Sequence, residues 1–330
     1  MPSLSSVVTH FFRPKPTFTE QDLPDLQGKI YIVTGSSTGT SCPGYYDDCK
    51  LSTTDNLIPD GYDSNINMPT NVEQVYVAAR TERKGQQAID NIKASVPFSK
   101  GSLVFLHFDL SDLLIVKAAA ESFLAQEKRL HVLFDNAGVM SSPVKSVQGY
   151  ELNLALNCIA TFLFTKLLTP ILVSSYGFEL RAVEGVAVST DNLDYHQPVG
   201  ASMRYALSKS GVWALAIEHF RRFKGDGVLS VAINPGNFQP KPFRDQGSAM
   251  KFVCRLLGYP FTYGACTGLY AAFASDVTTA DRYKYWVGPF GRIFPLRLDL
   301  HRATVPESEG RTGGTAKFWE WSEQQVKTYL

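Results

Sequence analysis

A tyrosine and a lysine four residues apart stand in a segment with helical periodicity. Tyr205 and Lys209 belong to the sequence YALSK, and on a helix this spacing places both side chains on one face. A free phenol has a pKa of about 10, too high for proton transfer at neutral pH. A neighbouring ammonium favours the phenolate, so the pair is suited to acid-base chemistry. Most Tyr/Lys pairs on helices are nevertheless solvated surface pairs, and this pair alone does not define an enzyme.

Two short glycine-containing turns follow predicted strands. One is Thr34–Gly39, with the sequence TGSSTG, and the other is Phe134–Gly138, with the sequence FDNAG. Glycine lets the backbone approach a pyrophosphate closely, and the backbone N–H groups of such a turn are donors for it. Ligands of open α/β sheets bind outside the carboxyl ends of the strands, where both turns are predicted to lie. Alone, each turn is equally consistent with an ordinary connection.

Short apolar runs and helical patterns alternate along the chain from Gln27 onward. The near-continuous apolarity of the runs predicts strands buried on both faces, at Lys29–Thr34, Val75–Ala79, Leu103–Phe108, His131–Phe134 and Val228–Ile233. Apolar residues at three- and four-residue spacing predict helices at Gly85–Val96, Ser111–Glu127, Tyr150–Leu168, Arg204–Phe223 and Thr315–Tyr329. The predicted fold class is therefore α/β, with a Rossmann-type, doubly wound parallel sheet in a single domain.

One stretch does not follow this alternation. Thr40–Asn71 contains three prolines, two glycines and many Asp and Asn residues without a helical period, although a doubly wound fold needs a helix after its first strand. We predict an irregular insertion at 40–72 in place of that helix. The predicted organisation is an N-terminal extension at 1–25, a Rossmann-type domain at 26–300 and a C-terminal extension at 301–330.

The composition argues against several classes of protein, among them nucleic-acid-binding, disulfide-rich and membrane-spanning proteins. Lys and Arg number 32 against 31 Asp and Glu, a balance that gives no indication of a nucleic-acid partner or an anionic membrane surface. The five cysteines are scattered without a CxxC pair, which argues against a disulfide framework or a structural zinc site and for a reducing compartment. The most apolar stretch, Ile159–Val173, is too short and too polar to span a bilayer. We expect a cytoplasmic protein without a metal site.

In their order along the chain, the motifs resemble those of the short-chain dehydrogenase/reductase family over Leu26–Gly291. Within the family, the chain resembles retinol-dehydrogenase-like enzymes and the reductases of filamentous fungi. The family's glycine motif TGxxxGxG is matched at Thr34, Gly35 and Gly39, and its NNAG at Asn136, Ala137 and Gly138, with Asp135 in place of the first Asn. Its YxxxK is matched at Tyr205 and Lys209, its PG turn at Pro235 and Gly236, and its catalytic Asn at Asn157.

The resemblance implies an oxidoreductase that transfers hydride between NADP(H) and a carbonyl or alcohol on an apolar small molecule of secondary metabolism. Tyr205 is then the general acid in reduction and the base in oxidation. Lys209 lowers the pKa of the phenol and holds the nicotinamide ribose, and Asn157 positions Lys209 through water. A homodimer built on the helices that begin near Tyr150 and Arg204 is also implied. The implied cofactor contacts are Gly35, Ser37, Gly39, Thr40, Arg80, Asp109, Leu110, Asn136, Ala137, Gly138, Tyr205, Lys209, Pro235, Gly236 and Phe238.

The family also has a serine that hydrogen-bonds the substrate oxygen, and three candidates are open. Ser189 stands nearest the family's spacing before the tyrosine and follows a strand-like run. The segment Asp191–His196, with the sequence DNLDYH, resembles an insertion that relatives carry between serine and tyrosine. An insertion there favours the earlier serine pair, so we predict Ser175, with Ser174 and Ser189 as the alternatives.

The end of the second strand distinguishes the two nicotinamide cofactors. An NAD-specific Rossmann site has an acidic residue there for the ribose hydroxyls. This chain has Arg80 instead, and a guanidinium is suited to the 2′-phosphate of NADP. The alternative is that Arg80 is a solvated surface residue.

Two departures from the family pattern support a competing interpretation. After Gly39 the family continues with Ile-Gly and a long helix, whereas Thr40 here opens the polar insertion. At 170–174 the predicted helix runs into the serine pair with almost no connecting loop, where relatives have a full fifth strand. An insertion and a deletion of this kind are typical of a splicing or gene-model error. The competing interpretation is a degenerate relative that binds no cofactor and acts as a partner protein or has no function.

Overall fold

The computed structural model has a sheet of eight strands at its centre. It describes residues 15–35, 73–95, 99, 101–139, 144–172, 174–178, 187–234, 261–277, 285–296 and 298–330. The strands are β1 Ile30–Thr34, β2 Gln74–Ala79, β3 Ser102–His107, β4 Val132–Phe134, β5 Ser174–Phe178, β6 Leu229–Ile233, β7 Tyr285–Gly288 and β8 Arg292–Pro295. They lie in the order β3-β2-β1-β4-β5-β6-β7-β8. All neighbours are parallel except β7 and β8, and this is the Rossmann order, which confirms the predicted fold class.

The predicted strands are all present, and each agrees with its observed bounds to within one residue at either end. Their apolar runs are buried because helices cover both faces of the sheet; Ile32 and Val33, for example, are 0% exposed. The sequence did not predict β5, β7 or β8. β8 lies at the edge and alternates between half-buried and exposed residues, so it lacks the continuous apolar run that marks a central strand.

Helices flank the sheet and, where they were predicted, are present. They are α1 Glu82–Ser95, α2 Leu113–Gln126, α3 at 152–168, α4 Ala201–Phe223, α5 Phe261–Phe273, α6 Leu298–Thr304 and α7 Gly314–Val326. α3 is continuous but not uniform, since α-helical Leu152–Leu154 is followed by π-helical Ala155–Ala160 and α-helical Thr161–Leu168. α1 begins three residues before the predicted start because its first turn is charged and gives no apolar signal, while Glu82 there complements the helix dipole.

Alternate residues of the central strands enter two separate cores. Ile32 of β1 belongs to the core beneath α2, α3, α4 and α7, whereas Tyr31 and Val33 belong to the core beneath α1 and α5. This division follows from the two-residue period of a strand, which sends neighbouring side chains to opposite faces. Helices therefore cover both faces of one parallel sheet, as a doubly wound fold requires.

The C-terminal helix α7 covers the outer faces of α3 and α4. The ring of Trp319 is 1% exposed and meets Phe162 of α3 edge-on, with ring centroids 4.7 Å apart. A Cβ on Gly211 of α4 would lie 2.7 Å from the Cys158 Sγ and 2.8 Å from the Phe318 ring, so the three helices meet at a position where only glycine fits. A homodimer is still a prediction, and a second subunit approaching this face would meet α7.

The predicted departures from the family pattern have different outcomes. The insertion at 40–72 lies outside the described residues. The expectation that the deletion at 170–174 removes the fifth strand is wrong, because the 3₁₀ turn Thr169–Ile171 leads into β5, which pairs with β4 and β6. The predicted boundary at residue 300 falls within α6. Within the described ranges, no helix is both long enough and apolar enough to cross a membrane.

Candidate active site

The carboxyl ends of four neighbouring strands bring the predicted cofactor residues to one rim of the sheet. Gly35 follows β1, Arg80 follows β2, Asp109 lies just beyond β3, and Asn136 lies just beyond β4. Gly35 has a φ of 71°, a left-handed conformation that glycine adopts without strain. This rim is where open α/β sheets bind their ligands.

The hydroxyl of Thr34 ties the turn after β4 to the end of β1. It donates to the Phe134 carbonyl at 3.2 Å and accepts from the Ala137 N–H at 3.0 Å. The Asn136 side chain donates to the Thr34 carbonyl at 3.3 Å. Thr34 is buried, and hydrogen bonds in such surroundings are strong and fix the turn. Sequence reasoning matched Thr34 to a motif but missed this role, because its partners are 100 or more residues away.

Asn157 joins this turn to the helix that carries the tyrosine. It lies in the π-helical part of α3 and is buried; π-helical turns often mark functional sites. Its Oδ1 accepts from the Val139 N–H at 2.8 Å, while its Nδ2 donates to the Val139 carbonyl at 3.0 Å and to the Ser208 hydroxyl at 2.8 Å. Ser208 then donates to the Tyr205 carbonyl at 2.8 Å. Sequence reasoning missed Ser208 and predicted Asn157 from the resemblance.

Tyr205 and Lys209 occupy the same face of α4, as their spacing predicts. The Lys209 Nζ is 5.6 Å from the centroid of the Tyr205 ring. A Cβ added to Gly138 would stand 3.0 Å from that Nζ and 2.9 Å from the Asn157 Oδ1. The structure therefore brings Gly138, Asn157, Tyr205 and Lys209 together at the carboxyl rim.

The Cys158 thiol adds another link between α3 and α4. It donates to the Ser208 carbonyl at 3.0 Å. Burial raises the pKa of Cys158 to about 12, so the group stays a neutral thiol and is not a nucleophile at neutral pH.

The remaining predicted cofactor residues are only partly described. Asp109 Oδ1 accepts from the N–H and the hydroxyl of Ser111, at 2.9 and 2.7 Å, so it shapes the turn before α2. Leu110 is 8% exposed and belongs to the core. A contact of either residue with adenine is still a prediction. Ser37, Gly39, Thr40, Pro235, Gly236 and Phe238 lie outside the described residues.

The candidate serines lie at different points of the fold. Ser174 and Ser175 are the first two residues of β5, and Phe178 is the last. Ser175 is paired in register with Leu133 of β4. Ser174 and Ser175 therefore stand at the amino end of β5, opposite the carboxyl rim. Ser189 precedes α4, and its hydroxyl donates to the Asp191 carboxylate at 2.9 Å. The choice among the three serines is still a prediction.

A small cavity lies behind Asn157, between α3, α4 and α7. Its volume is about 40 Å³, which is enough for ordered water. Asp135, which lines it, accepts from the Thr165 hydroxyl at 2.9 Å. His219 also lines the cavity, and its Nε2 is 2.9 Å from the Thr169 hydroxyl oxygen. The single proton of that hydroxyl is donated to the Thr165 carbonyl. The hydroxyl can therefore only accept from His219, so the ring proton of the neutral imidazole is on Nε2.

The other ring nitrogen of His219 is a buried acceptor. The Nδ1 has no hydrogen-bond partner within the part of the chain that the structure describes. Burial, with a smaller contribution from the Lys166 ammonium, lowers the pKa of His219 to about 4. The imidazole is therefore neutral at physiological pH, and a water in the cavity is suited to donate to it.

Comparisons with known proteins agree with this geometry. The family model for short chain dehydrogenases matches residues 68–250. A short-chain dehydrogenase/reductase of Phomopsis amygdali is 40% identical over 348 residues, which cover 99% of this chain and 98% of that protein. One from Neocamarosporium betae is 37% identical over 348 residues, with coverage of 99% and 94%. The chain belongs to the short-chain dehydrogenase/reductase family, as the motifs implied.

Solved structures agree on the fold. The crystal structure of a metagenomic short-chain oxidoreductase in complex with NADP superposes with a TM-score of 0.51, at 19% identity. The match covers 77% of this chain and 95% of that one. At this identity the similarity supports the shared fold.

The lack of space at Gly138 predicts a sensitive position. In Gly138→Ala, the new Cβ displaces Asn157 or Lys209. We expect a loss of about 1–3 kcal/mol in the free energy of unfolding. We also expect turnover to fall by about tenfold or more, because a catalytic group is displaced. Chemical denaturation and steady-state kinetics measure both. The matched control is Gly225→Ala, where nothing lies within 4 Å of the added Cβ. Equal effects at the two positions would contradict the packing described here.

The buried imidazole of His219 predicts a pH-dependent stability. The folded pKa is about 4 and the unfolded pKa about 6.5, so between these values the unfolded chain binds a proton that the folded chain does not. The free energy of unfolding therefore falls as the pH drops through this window, by about 3 kcal/mol in total. The His219→Gln variant keeps a donor for Thr169 but has no imidazole to protonate. Chemical denaturation at several pH values should therefore show a smaller fall in its free energy of unfolding across this window. The control is His301→Gln; a His219→Gln protein that loses stability as steeply as the wild type would refute the assignment.

Proposed function

We propose that the chain is an NADP(H)-dependent oxidoreductase that interconverts a carbonyl and an alcohol on an apolar small molecule. Membership of the family makes it an oxidoreductase. The observation that carries the finer proposal is the position of the Lys209 ammonium, which lies against Gly138 on one side and near the Tyr205 ring on the other. One cation thus stands between the predicted cofactor turn and the predicted proton donor.

The rim residues fit a dinucleotide. At Gly138 a Cβ would fill the space beside Lys209, and at Gly35 the backbone is left-handed. Neither glycine has a side chain, so a phosphate or ribose can approach the backbone closely at both positions. We propose that these two glycines, Asn136, Ala137 and Lys209 hold the cofactor. When bound, NADP(H) supplies or accepts the hydride.

Tyr205 is the proposed acid and base of the reaction. Its hydroxyl would give a proton to the carbonyl oxygen in reduction and take one from the alcohol in oxidation. The Lys209 ammonium lies 5.6 Å from the centroid of the ring and is the proposed partner of the phenol. Both side chains are half-buried, so water screens this interaction less than it would on the surface.

Asn157 is proposed to position these groups. Its three hydrogen bonds hold the Gly138 turn against α4, which sets the distance between the cofactor turn and Tyr205. Ser175 is the proposed donor to the substrate oxygen, with Ser174 and Ser189 as alternatives. A donor aimed at that oxygen stabilises the charge that develops on it.

NADP(H) is proposed over NAD(H). Arg80 is exposed directly after β2, at the position where an NAD-specific site has an acid. Its guanidinium is suited to a 2′-phosphate. The solved metagenomic relative is in complex with NADP, which supports this choice.

The same resemblance underlies the biological setting that we propose. The two relatives with 37% and 40% identity are fungal proteins, which supports a role in fungal secondary metabolism. A balanced charge and scattered cysteines support a cytoplasmic location.

Removal of the phenol tests the proposed acid-base role. We expect Tyr205→Phe to lower turnover of an aromatic aldehyde by about 10²–10⁴-fold, because no other group is proposed to transfer the proton, while the variant still binds NADPH with a saturable signal. Turnover is measured from the loss of NADPH absorbance, and affinity from energy transfer between tryptophan and nicotinamide. Tyr329→Phe is the matched control. Undiminished turnover in Tyr205→Phe would refute the role, and a wild type without saturable NADPH binding would favour the degenerate relative.

Removal of Arg80 tests the cofactor choice. We expect Arg80→Leu to raise the dissociation constant of NADPH by about tenfold, the effect of losing an exposed, charge-assisted hydrogen bond. The dissociation constant of NADH should not change. Arg83→Leu, at an exposed position on α1, is the control. An equal change for both cofactors would argue that Arg80 does not recognise the 2′-phosphate.

A further inference from the structure

A cavity of about 750 Å³ opens beside the start of α4, and its volume is typical of small-molecule sites. Residues 144–151, residues 190–196 and α7 form its walls, and Arg204 lies among the lining residues. Arg204 directly precedes Tyr205. None of the residues predicted for the active site lines this cavity, so it is a feature that the proposed function has not used.

The cavity lies at the carboxyl rim of the sheet. Residues 144–151 come after β4, and residues 190–196 come between β5 and α4. Connections that leave the carboxyl ends of parallel strands meet at one edge, where ligands bind. A molecule in the cavity would therefore sit at the same rim as the start of α4, which carries Tyr205.

Arg204 is held in place yet keeps donors available. Its Nε donates to the Val199 carbonyl at 2.8 Å, and its guanidinium carbon lies 4.9 Å from the centroid of the Tyr195 ring. Its two terminal amino groups make no hydrogen bond or ion pair with the residues that the structure describes. A guanidinium fixed in this way presents a preorganised pair of donors that matches a carboxylate.

The backbone at Tyr195 supports this arrangement. Tyr195 has a φ of 55°, a left-handed conformation that is uncommon for an aromatic residue and costs free energy. The conformation brings the ring beneath Arg204. Such strain persists only where the surroundings enforce it, and it is frequent at ligand sites.

The acidic residues of the lining are all engaged elsewhere. Glu151 accepts from the Asn153 side chain at 2.6 Å and from the Leu154 N–H at 2.9 Å, and so caps α3. Asp194 pairs with His196 at 2.6 Å, and Asp191 accepts from the Ser189 hydroxyl at 2.9 Å. None of the three is within ion-pair distance of Arg204, which leaves its charge available to an anion.

Three aromatic residues, Tyr150, Tyr195 and Trp321, are among the lining residues. Trp321 stacks on Phe318, with ring centroids 5.7 Å apart and an interplanar angle of 12°. Tyr150 is fixed by a hydrogen bond from its hydroxyl to the Gln325 Oε1 at 3.1 Å. These rigid, flat surfaces are suited to an aromatic or otherwise flat apolar molecule.

We propose that this cavity binds a flat, apolar molecule that carries a carboxylate, and that Arg204 pairs with the carboxylate. Resting on the proposed function, the ligand is the substrate of the Tyr205 site, with its carboxylate distal to the carbonyl that reacts. Arg204 then determines specificity and does not take part in the chemistry.

Binding without turnover tests the site itself. Calorimetry on the full chain compares naphthoate with naphthamide, which has the same shape and no charge. We expect the wild type to bind naphthoate about tenfold more tightly, and Arg204→Leu to lose that preference. Arg204→Lys keeps the positive charge but lacks the two parallel donors of a guanidinium, so it should retain part of the preference for naphthoate. Arg311→Leu, at an exposed position, should behave as the wild type. Circular dichroism verifies that each variant folds.

The possible outcomes are distinct. A wild type without a preference for naphthoate, or without saturable binding of it, overturns the proposal, as does an Arg204→Leu protein that keeps the preference.

Turnover of formylbenzoate and its methyl ester with NADPH then tests the link to catalysis, where Arg204→Leu should raise only the KM of the acid, by about tenfold. If NADPH fails to bind while naphthoate preference persists, the proposed function fails and the carboxylate site stands. If both aldehydes are reduced equally well by wild type and variant, the site is not the substrate site.

Discussion

The side-chain amide of Asn157 is the interaction on which the proposed site depends. It accepts from the Val139 N–H and donates to the Val139 carbonyl and the Ser208 hydroxyl. Through these bonds a turn at the end of β4 is held against the helix that carries Tyr205 and Lys209. A buried amide with satisfied partners is rigid, whereas each partner left unsatisfied costs about 1–3 kcal/mol. The positions of the glycine turn and the tyrosine are therefore fixed relative to each other by a buried polar network.

The rest of the fold holds this network in place. Thr34 ties the same turn to β1, and Asp135 ties it to α3 through Thr165. From the other side, α7 closes the space behind Asn157 with Trp319 and packs Phe318 against Gly211. The C-terminal residues, which the sequence predicts as an extension with a helix at Thr315–Tyr329, thus form part of the support for the site.

The sequence predicts the parts of this arrangement that depend on local patterns. Buried parallel strands have continuous apolar runs, so β1, β2, β3, β4 and β6 are found within a residue of their predicted ends. A helical spacing predicts the shared face of Tyr205 and Lys209. The sequence does not predict β5, whose first residues are serines, or the edge strand β8, because their pairing depends on neighbours and not on an apolar run.

The roles of Thr34, Ser208 and Arg204 could not be predicted for a related reason. Their partners are distant in sequence or lie on other elements, and nothing in the local pattern marks a threonine or serine as a connector. Asn157 was found only because a family motif fixes its position. Arg204 gave no signal at all, since an arginine at the start of a helix is ordinary until the surrounding acids are seen to be engaged elsewhere.

A double-mutant cycle on the Asn157–Ser208 hydrogen bond tests the central claim most directly. The free energy of unfolding is measured by chemical denaturation for wild type, Asn157→Ala, Ser208→Ala and the double variant. If this bond joins the turn after β4 to the helix of Tyr205, the double variant loses less stability than the two single losses combined, with a coupling of about 1 kcal/mol or more. A coupling indistinguishable from zero would contradict the account.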